Sequence, residues 1–570
     1  MKNSFRPVGI FLLLFGLVLW GQQRSGAYND EFGAHPDEAA HFVSALMIRD
    51  YVLQLGGEAE TRIAHPKRFA ENYHEHYPKV AIGNWPPGFH GLQALWMLIF
   101  EPGQGSIFFL MALLTGLLGW LVWWSSKKYI GEGWPLAAAI LLMVLPIIQK
   151  YSSLVMTEVL MAVLMFGAIL LYVKFLETEN WKWSLLFGIV ASAAIMVKGT
   201  GLTLGIVPPL SIILLNRWKL LIKWQFWIAA VVVGILCAPW YKYTAETLQD
   251  GWEKSKPSLV FFGSAVVYNI NKLVETAGPV FFLCIIIGLA TLIRKKPEQE
   301  KEQTASTFFP LLGILFFAVP LLVCIVPAGK EHRHLIPMLP AFVIFTAFGM
   351  KELLNQLVKA KTKMNPKKTA WLIGGVGVIG MFAAAKEPIY QKGFSGFREV
   401  TKELYKVEDW PGPVLISSDA SGEGMFVAEA ALADSRRPSS RQIVRATKLL
   451  ADSKWSGQNY ETKYKTRQDL IDLLKEKKFW AIVIDEAVSK QRPDNYNKFK
   501  HMKDLEEVCG ELEFAERFTI RRGGNEYEGD LILYRSPQFR APDFSGFSEP
   551  IVPEVPSGVS NTGSASPTGN

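Results

Sequence analysis

The chain has 570 residues, 50% of them hydrophobic and only 20% charged. Apolar runs recur from the N-terminus to about residue 385, which excludes a purely soluble enzyme and defines a polytopic membrane protein. The net charge of +8 comes largely from lysines and arginines in short loops between those runs, a topological pattern that argues against a nucleic-acid partner.

In chain order, residues 1–27 carry a basic start (Lys2, Arg6), a short apolar run Ile10–Trp20 and the small residues Ser25-Gly26-Ala27. This fits a cleaved signal loosely; an uncleaved first span agrees better with the loops that follow. About eleven spans are expected, near 8–21, 106–124, 135–150, 158–175, 183–198, 200–216, 223–240, 277–293, 308–326, 335–350 and 369–385. With the N-terminus inside, the inner loops hold Lys127-Lys128, Lys182, Arg217 with Lys219 and Lys223, Arg294-Lys295-Lys296 and the stretch Lys351 to Lys368. The positive-inside rule then sets the orientation, with an even-numbered loop set facing the cytoplasm of a bacterial-type inner membrane.

Two outer segments are long. Residues 22–105 hold the acidic pair Asp37-Glu38 and end in Trp85-Pro86-Pro87-Gly88 and an apolar stretch Phe89–Phe100, too short to cross and read as an interfacial helix. Residues 241–276 form the second. From about 390 the periodicity changes: Val414–Ser418 and Trp480–Asp485 read as buried strands, with an amphipathic helix Gln468–Glu476 feeding the second. The expected architecture is therefore a transmembrane unit over 1–389, an extracytoplasmic α/β domain over 390–540, and a Pro/Ser/Gly-rich disordered tail over 541–570. Cys237, Cys284 and Cys324 lie in apolar segments and Cys509 stands alone, so no disulfide framework is expected.

Carboxylates at a membrane surface are expensive and mark a functional site. Pro36 favours helix initiation, which puts Asp37 and Glu38 in a first turn and His41 one turn beyond Asp37. Six of the nine histidines (His35, His41, His65, His74, His76 and His90) fall in the first outer loop, with His332 and His334 also outside. His74-Glu75-His76 and Glu331-His332 could contribute to a metal site, but their spacing matches no strong ligand pattern, so no cofactor is expected, with a divalent metal as the lesser alternative. Ser417–Gly424 reads as a glycine-bearing turn after a strand; it lacks a G-x-G-x-x-G pattern.

The order of short motifs is more specific than any one of them. An outer-loop Asp37-Glu38 precedes Tyr77-Pro78-Lys79 and Trp85-Pro86-Pro87; then come Met156-Thr157-Glu158, Lys198-Gly199, Pro239-Trp240-Tyr241 and Arg333-His334-Leu335-Ile336-Pro337-Met338-Leu339-Pro340. Over roughly residues 1–390 this resembles the GT-C class of membrane glycosyltransferases, in the branch of the protein mannosyltransferases and the lipid A aminoarabinose transferase. The resemblance implies a polyprenyl-phosphate sugar donor and an inverting transfer to an extracytoplasmic acceptor, whether glycolipid, polysaccharide or protein. By position it implies Asp37 as base, Glu38 as its partner and Glu158 as a second acid facing the same cavity. Lys79, Lys198 and Arg333 fall inside the motifs and are the candidates for the donor phosphate, which needs charged donors. His41, Trp85, Trp240, Tyr241 and His334 are candidate substrate contacts; His334 stands where the family usually has an aromatic residue. The alternative from another class is a transporter or flippase for a lipid-linked glycan, which the surface position of the acids and the lack of an internal repeat disfavour.

Overall fold

The computed structural model describes residues 5–535 apart from 58–62, 82, 84, 132, 246–256, 295–299, 327–329, 360–364, 386–388, 436–440, 453–458, 492, 511–514 and 523–526. The tail expected at 541–570 lies outside the described residues. Up to the third expected span the helices are α1 (Phe5–Ser25), α2 (Pro36–Leu55), α3 (Pro66–His76), α4 (Gly88–Ile99), α5 (Gln104–Ile130), α6 (Trp134–Val144) and α7 (Pro146–Ser152). There follow α8 (Glu158–Thr178), α9 (Trp181–Val197), α10 (Val207–Leu215), α11 (Trp224–Tyr243), α12 (Leu259–Arg294), α13 (Glu300–Ile325), α14 (Leu339–Lys359) and α15 (Pro366–Ala384).

Seven helices among the described residues are long and apolar enough to cross a membrane, or eight if α6 and α7, bent by 63° where Pro146 breaks the helix, form one span. The chain is a multi-pass membrane protein. The count of eleven is not reached: Trp181–Val197, Gly199–Leu215 and Lys368–Ala384 are apolar but shorter helices. At 1.5 Å per residue, about 17 residues cover roughly 25 Å of a core about 30 Å thick. Part of the second outer segment is also helical. α12 begins at Leu259 and runs to Arg294, broken at Gly278, whose φ of +69° suits glycine and where a Cβ would stand 2.6 Å from the Met381 nitrogen of α15.

Beyond the last membrane helix, α16 (Phe397–Leu404) and α17 (Ala420–Ala433) accompany a mixed sheet. Its strands are β1 (Val414–Ser417), β2 (Ile443–Arg445), β5 (Ala481–Asp485), β6 (Ala515–Arg522) and β7 (Tyr527–Tyr534), ordered β2-β1-β5-β7-β6; β3 (Ala451–Asp452) and β4 (Glu461–Thr462) pair separately. The two strands legible in the sequence are parallel neighbours, Val414 opposite Ala481 and Ser417 opposite Ile484, and the intervening helix Arg467–Lys477 begins with a Thr466–Asp469 capping box. β7 adds antiparallel to β5.

Candidate active site

Four helix ends converge. Asp37 lies in the first turn of α2, capped by His35, whose Nδ1 accepts the Asp37 N–H at 3.1 Å. Glu158 opens α8, Lys198 is the C-cap of α9, and Arg333 lies in the 3-10 turn His332–Met338 that leads into α14. Arg333 is the hub. Both its terminal nitrogens donate to Asp37 Oδ2 at 3.2 Å, and its Nε lies 3.7 Å from Glu158 and 2.5 Å from Glu331. Lys198 Nζ donates to Glu158 Oε1 at 2.8 Å. Glu158 is almost wholly buried (2% exposed), whereas Asp37 keeps 16% and Glu331 36% of their side chains exposed.

Burial raises the Asp37 pKa, but His35, Arg333, His41 and Lys198 outweigh it and hold the carboxyl below its ordinary 3.8. Glu331 is likewise pushed up by burial and pulled well below the carboxylate range by His35 and Arg333. His41 is buried; its Nδ1 shares a proton with His90 Nε2 at 2.9 Å, and its ring lies 4.4 Å from that of Trp85. Burial pushes the His41 pKa down to about 4 against the pull of Asp37 and Glu158, so the imidazole is neutral. His334 donates its N–H to Glu331 O at 3.2 Å and stands in the field of Lys198, Arg333 and Glu158.

Lys79 reaches the site from the other side. Its Nζ donates to Ala420 O at 3.0 Å, and Gly424 of α17 leaves the room its side chain occupies. Burial and Arg445 lower its pKa to about 7 against the pull of Asp37, Glu423 and Asp419. The structure thus brings Asp37, Glu158, Lys198, Arg333, His41, Trp85 and His334 together, with Lys79 at the border. It separates Glu38, which turns away from Asp37 to Lys392 at 2.7 Å. Trp240 and Tyr241 belong to α11, packed on α9; the Tyr241 hydroxyl is committed to Ile195 O at 3.1 Å.

Two partners escaped the sequence reading: Glu331, weighed there only as half of a metal pair, and Lys392. Among the described residues no group of three or more His, Cys, Asp or Glu is arranged to hold a metal; His76 instead bonds the Arg441 carbonyl at 2.9 Å. The turn after β1 is a helix start, with Asp419 capping α17 and Arg522 bridging Asp419 and Asp485 in a buried network.

Residues 84–243 match the family described as dolichyl-phosphate-mannose-protein mannosyltransferase. The fold is similar to that of ArnT from Cupriavidus metallidurans, solved bound to undecaprenyl phosphate (12% identity, TM-score 0.54, covering 95% of this chain and 100% of that one). It is also similar to the oligosaccharyltransferase of Archaeoglobus fulgidus in the apo form (11% identity, TM-score 0.53, covering 89% and 73%). The archaeal AglB from the same organism, solved with an inhibitory peptide and a dolichol-phosphate, aligns at 11% identity and TM-score 0.52 over 94% of this chain and 75% of that one. No curated protein matches in sequence. The fold is ArnT-like, in keeping with the resemblance to the GT-C class that the motif order carries.

Proposed function

We propose that this protein transfers a glycosyl group from a polyprenyl-phosphate donor to an extracytoplasmic acceptor, with inversion at the anomeric carbon. The observation that carries this reading is the Asp37–Arg333–Glu158–Lys198 cluster at the membrane-surface ends of apolar helices, on a fold shared with a polyprenyl-phosphate-bound structure. Such a cluster offers both things the reaction needs: an ionised carboxylate for the acceptor proton and fixed cations for the leaving phosphate.

In the step, an acceptor hydroxyl oxygen attacks the anomeric carbon opposite the phosphate. The carbon–oxygen bond to phosphate breaks, its electron pair stays on the phosphate oxygen, and the hydroxyl proton passes to Asp37. A carboxylate held below its ordinary pKa is a weak base. The proton therefore moves late, when the forming bond has made the hydroxyl acidic. Arg333 and Lys198 are already paired with carboxylates, so the phosphate competes for their donors, and its charge raises the lowered Lys79 pKa and recruits that ammonium as a further cation. Glu158, tied to Lys198, holds that cation in place rather than acting as a second base. His41 and Trp85 form the wall beside Asp37 against which the sugar or acceptor packs.

The charge pattern of the loops supports an inner-membrane orientation with the N-terminus inside and this site on the outer face. Residues 390–540 would then form the extracytoplasmic unit that shapes acceptor access. The stereochemistry tests the chemistry: with an active lipid-phosphate sugar, NMR of the first-formed product should show the anomeric configuration opposite to that of the donor. Retention would contradict direct displacement.

A further inference from the structure

We propose that Glu38 and Lys392 form a positioning clamp that fixes Asp37 relative to Glu158 and makes the segment after the last membrane helix part of the site. The inference rests on the reading of Asp37 as the base.

Consecutive residues on a helix point about 100° apart. With Asp37 turned to Arg333, Glu38 turns into the protein. Three donors converge on its carboxylate: Ala34 N–H on Oε2 at 3.2 Å, and Val155 N–H and Lys392 Nζ on Oε1 at 3.2 and 2.7 Å. Both side chains are fully buried. The Lys392 ammonium also lies 4.3 Å from the centre of the Phe108 ring, and its backbone N–H is held by Ser25 O at 2.8 Å.

The residue types are dictated by this geometry. A glutamine here has one acceptor oxygen and an NH2 group that would oppose one of the converging donors. A buried carboxylate in turn requires a cation. The three donors come from three segments: the loop entering α2 just before Asp37, the turn three residues before Glu158, and the irregular stretch after α15. Buried ion pairs contribute little net stability compared with an apolar pair of the same size. Stability is therefore a poor reason for this one, and alignment of two site carboxylates is a better one, since misplacement by 1 Å costs about 10²-fold in rate.

The test compares Lys392→Met, Glu38→Met and the double variant in the full-length protein. Thermal melting, hydrogen exchange of peptides covering residues 33–42 and 153–160, and transfer kinetics are measured on each. Each single variant buries an unpaired charge and should melt early. The double variant removes both charges and should regain most of the melting temperature, less the cost of leaving the Ala34 and Val155 N–H groups without their acceptor. If the pair is a clamp, the double variant still exchanges faster in both peptides, and its kcat stays roughly 10- to 100-fold down with donor KM within about twofold. Recovery of kcat together with the melting temperature, or unchanged exchange in both peptides, would overturn the clamp. If the wild type transfers no sugar, the glycosyltransferase reading has failed, and the exchange data alone decide the clamp.

Discussion

Arg333 does at residue scale what a sequence motif only hints at: it touches three carboxylates from three different segments. Because Asp37 is held below 3.8 chiefly by surrounding positive charge working against burial, the base stays ionised until the pH falls through that lowered value. The acid limb of kcat/KM should therefore lie below pH 3.8 where the protein remains folded. Arg333→Met removes a countercharge and should move that limb upward along with a large loss of rate; an unmoved limb would detach Asp37 from the pH profile. Asp37, Glu158, Lys198 and Arg333 were legible because charges are costly where the chain enters a membrane and each sits in a short recognisable motif. Lys392 was not, since in sequence it is an ordinary basic residue after a span. Glu38 was legible as an acid but not as a clamp, because its donors, two backbone N–H groups and one distant lysine, leave no mark in a sequence.

At the scale of elements, α17 packs on α2 and sets Gly424 against Lys79. A Cβ on Gly424 would stand 2.7 Å from Lys79 Cε and 3.0 Å from Nζ. Those are the far atoms of a flexible side chain, so Gly424→Ala should fold, with a melting temperature within a few degrees, yet displace Lys79. A hydrogen bond to a charged group contributes about 1.5–3 kcal/mol, so donor KM should rise roughly tenfold or more while kcat holds; an unchanged KM would remove Lys79 from donor binding. β1 and β5 were legible as short, wholly apolar runs. β6 (AERFTIRR) and β7 (YEGDLILY) were not, because charges interrupt both patterns and a glycine the second. The early start of α12 was hidden the same way, by Asn269, Asn271, Lys272 and Glu275, of which Asn269 is buried. The three short helices are apolar enough to read as spans but fall short of the length that the other spans reach, and α9 lies along α8 so that Lys198 at its end meets Glu158.

Across the whole molecule, the outer loop and the C-terminal region are tied at several points. Glu31 accepts the N–H groups of Gly396, Phe397 and Arg398, Tyr77 donates to Asp434 at 2.6 Å, and Gln104 meets Glu429 at 2.9 Å. Composition predicted both parts but not these joints, which depend on residues hundreds of positions apart. The four native cysteines are buried, so single cysteines report topology cleanly. A cysteine at Lys402 should label in intact cells with an impermeant maleimide, and one at Lys182 only after the membrane is opened; the reverse pattern would invert the orientation. The central claim is sugar transfer through Asp37. The most direct test measures transfer from a panel of radiolabelled polyprenyl-phosphate sugars in membranes holding wild type or Asp37→Asn at matched levels. Transfer by the wild type, lost in the variant while donor binding persists, is the predicted result. Equal transfer by both would contradict the account, and lipid-linked glycan movement without transfer would replace it with a flippase.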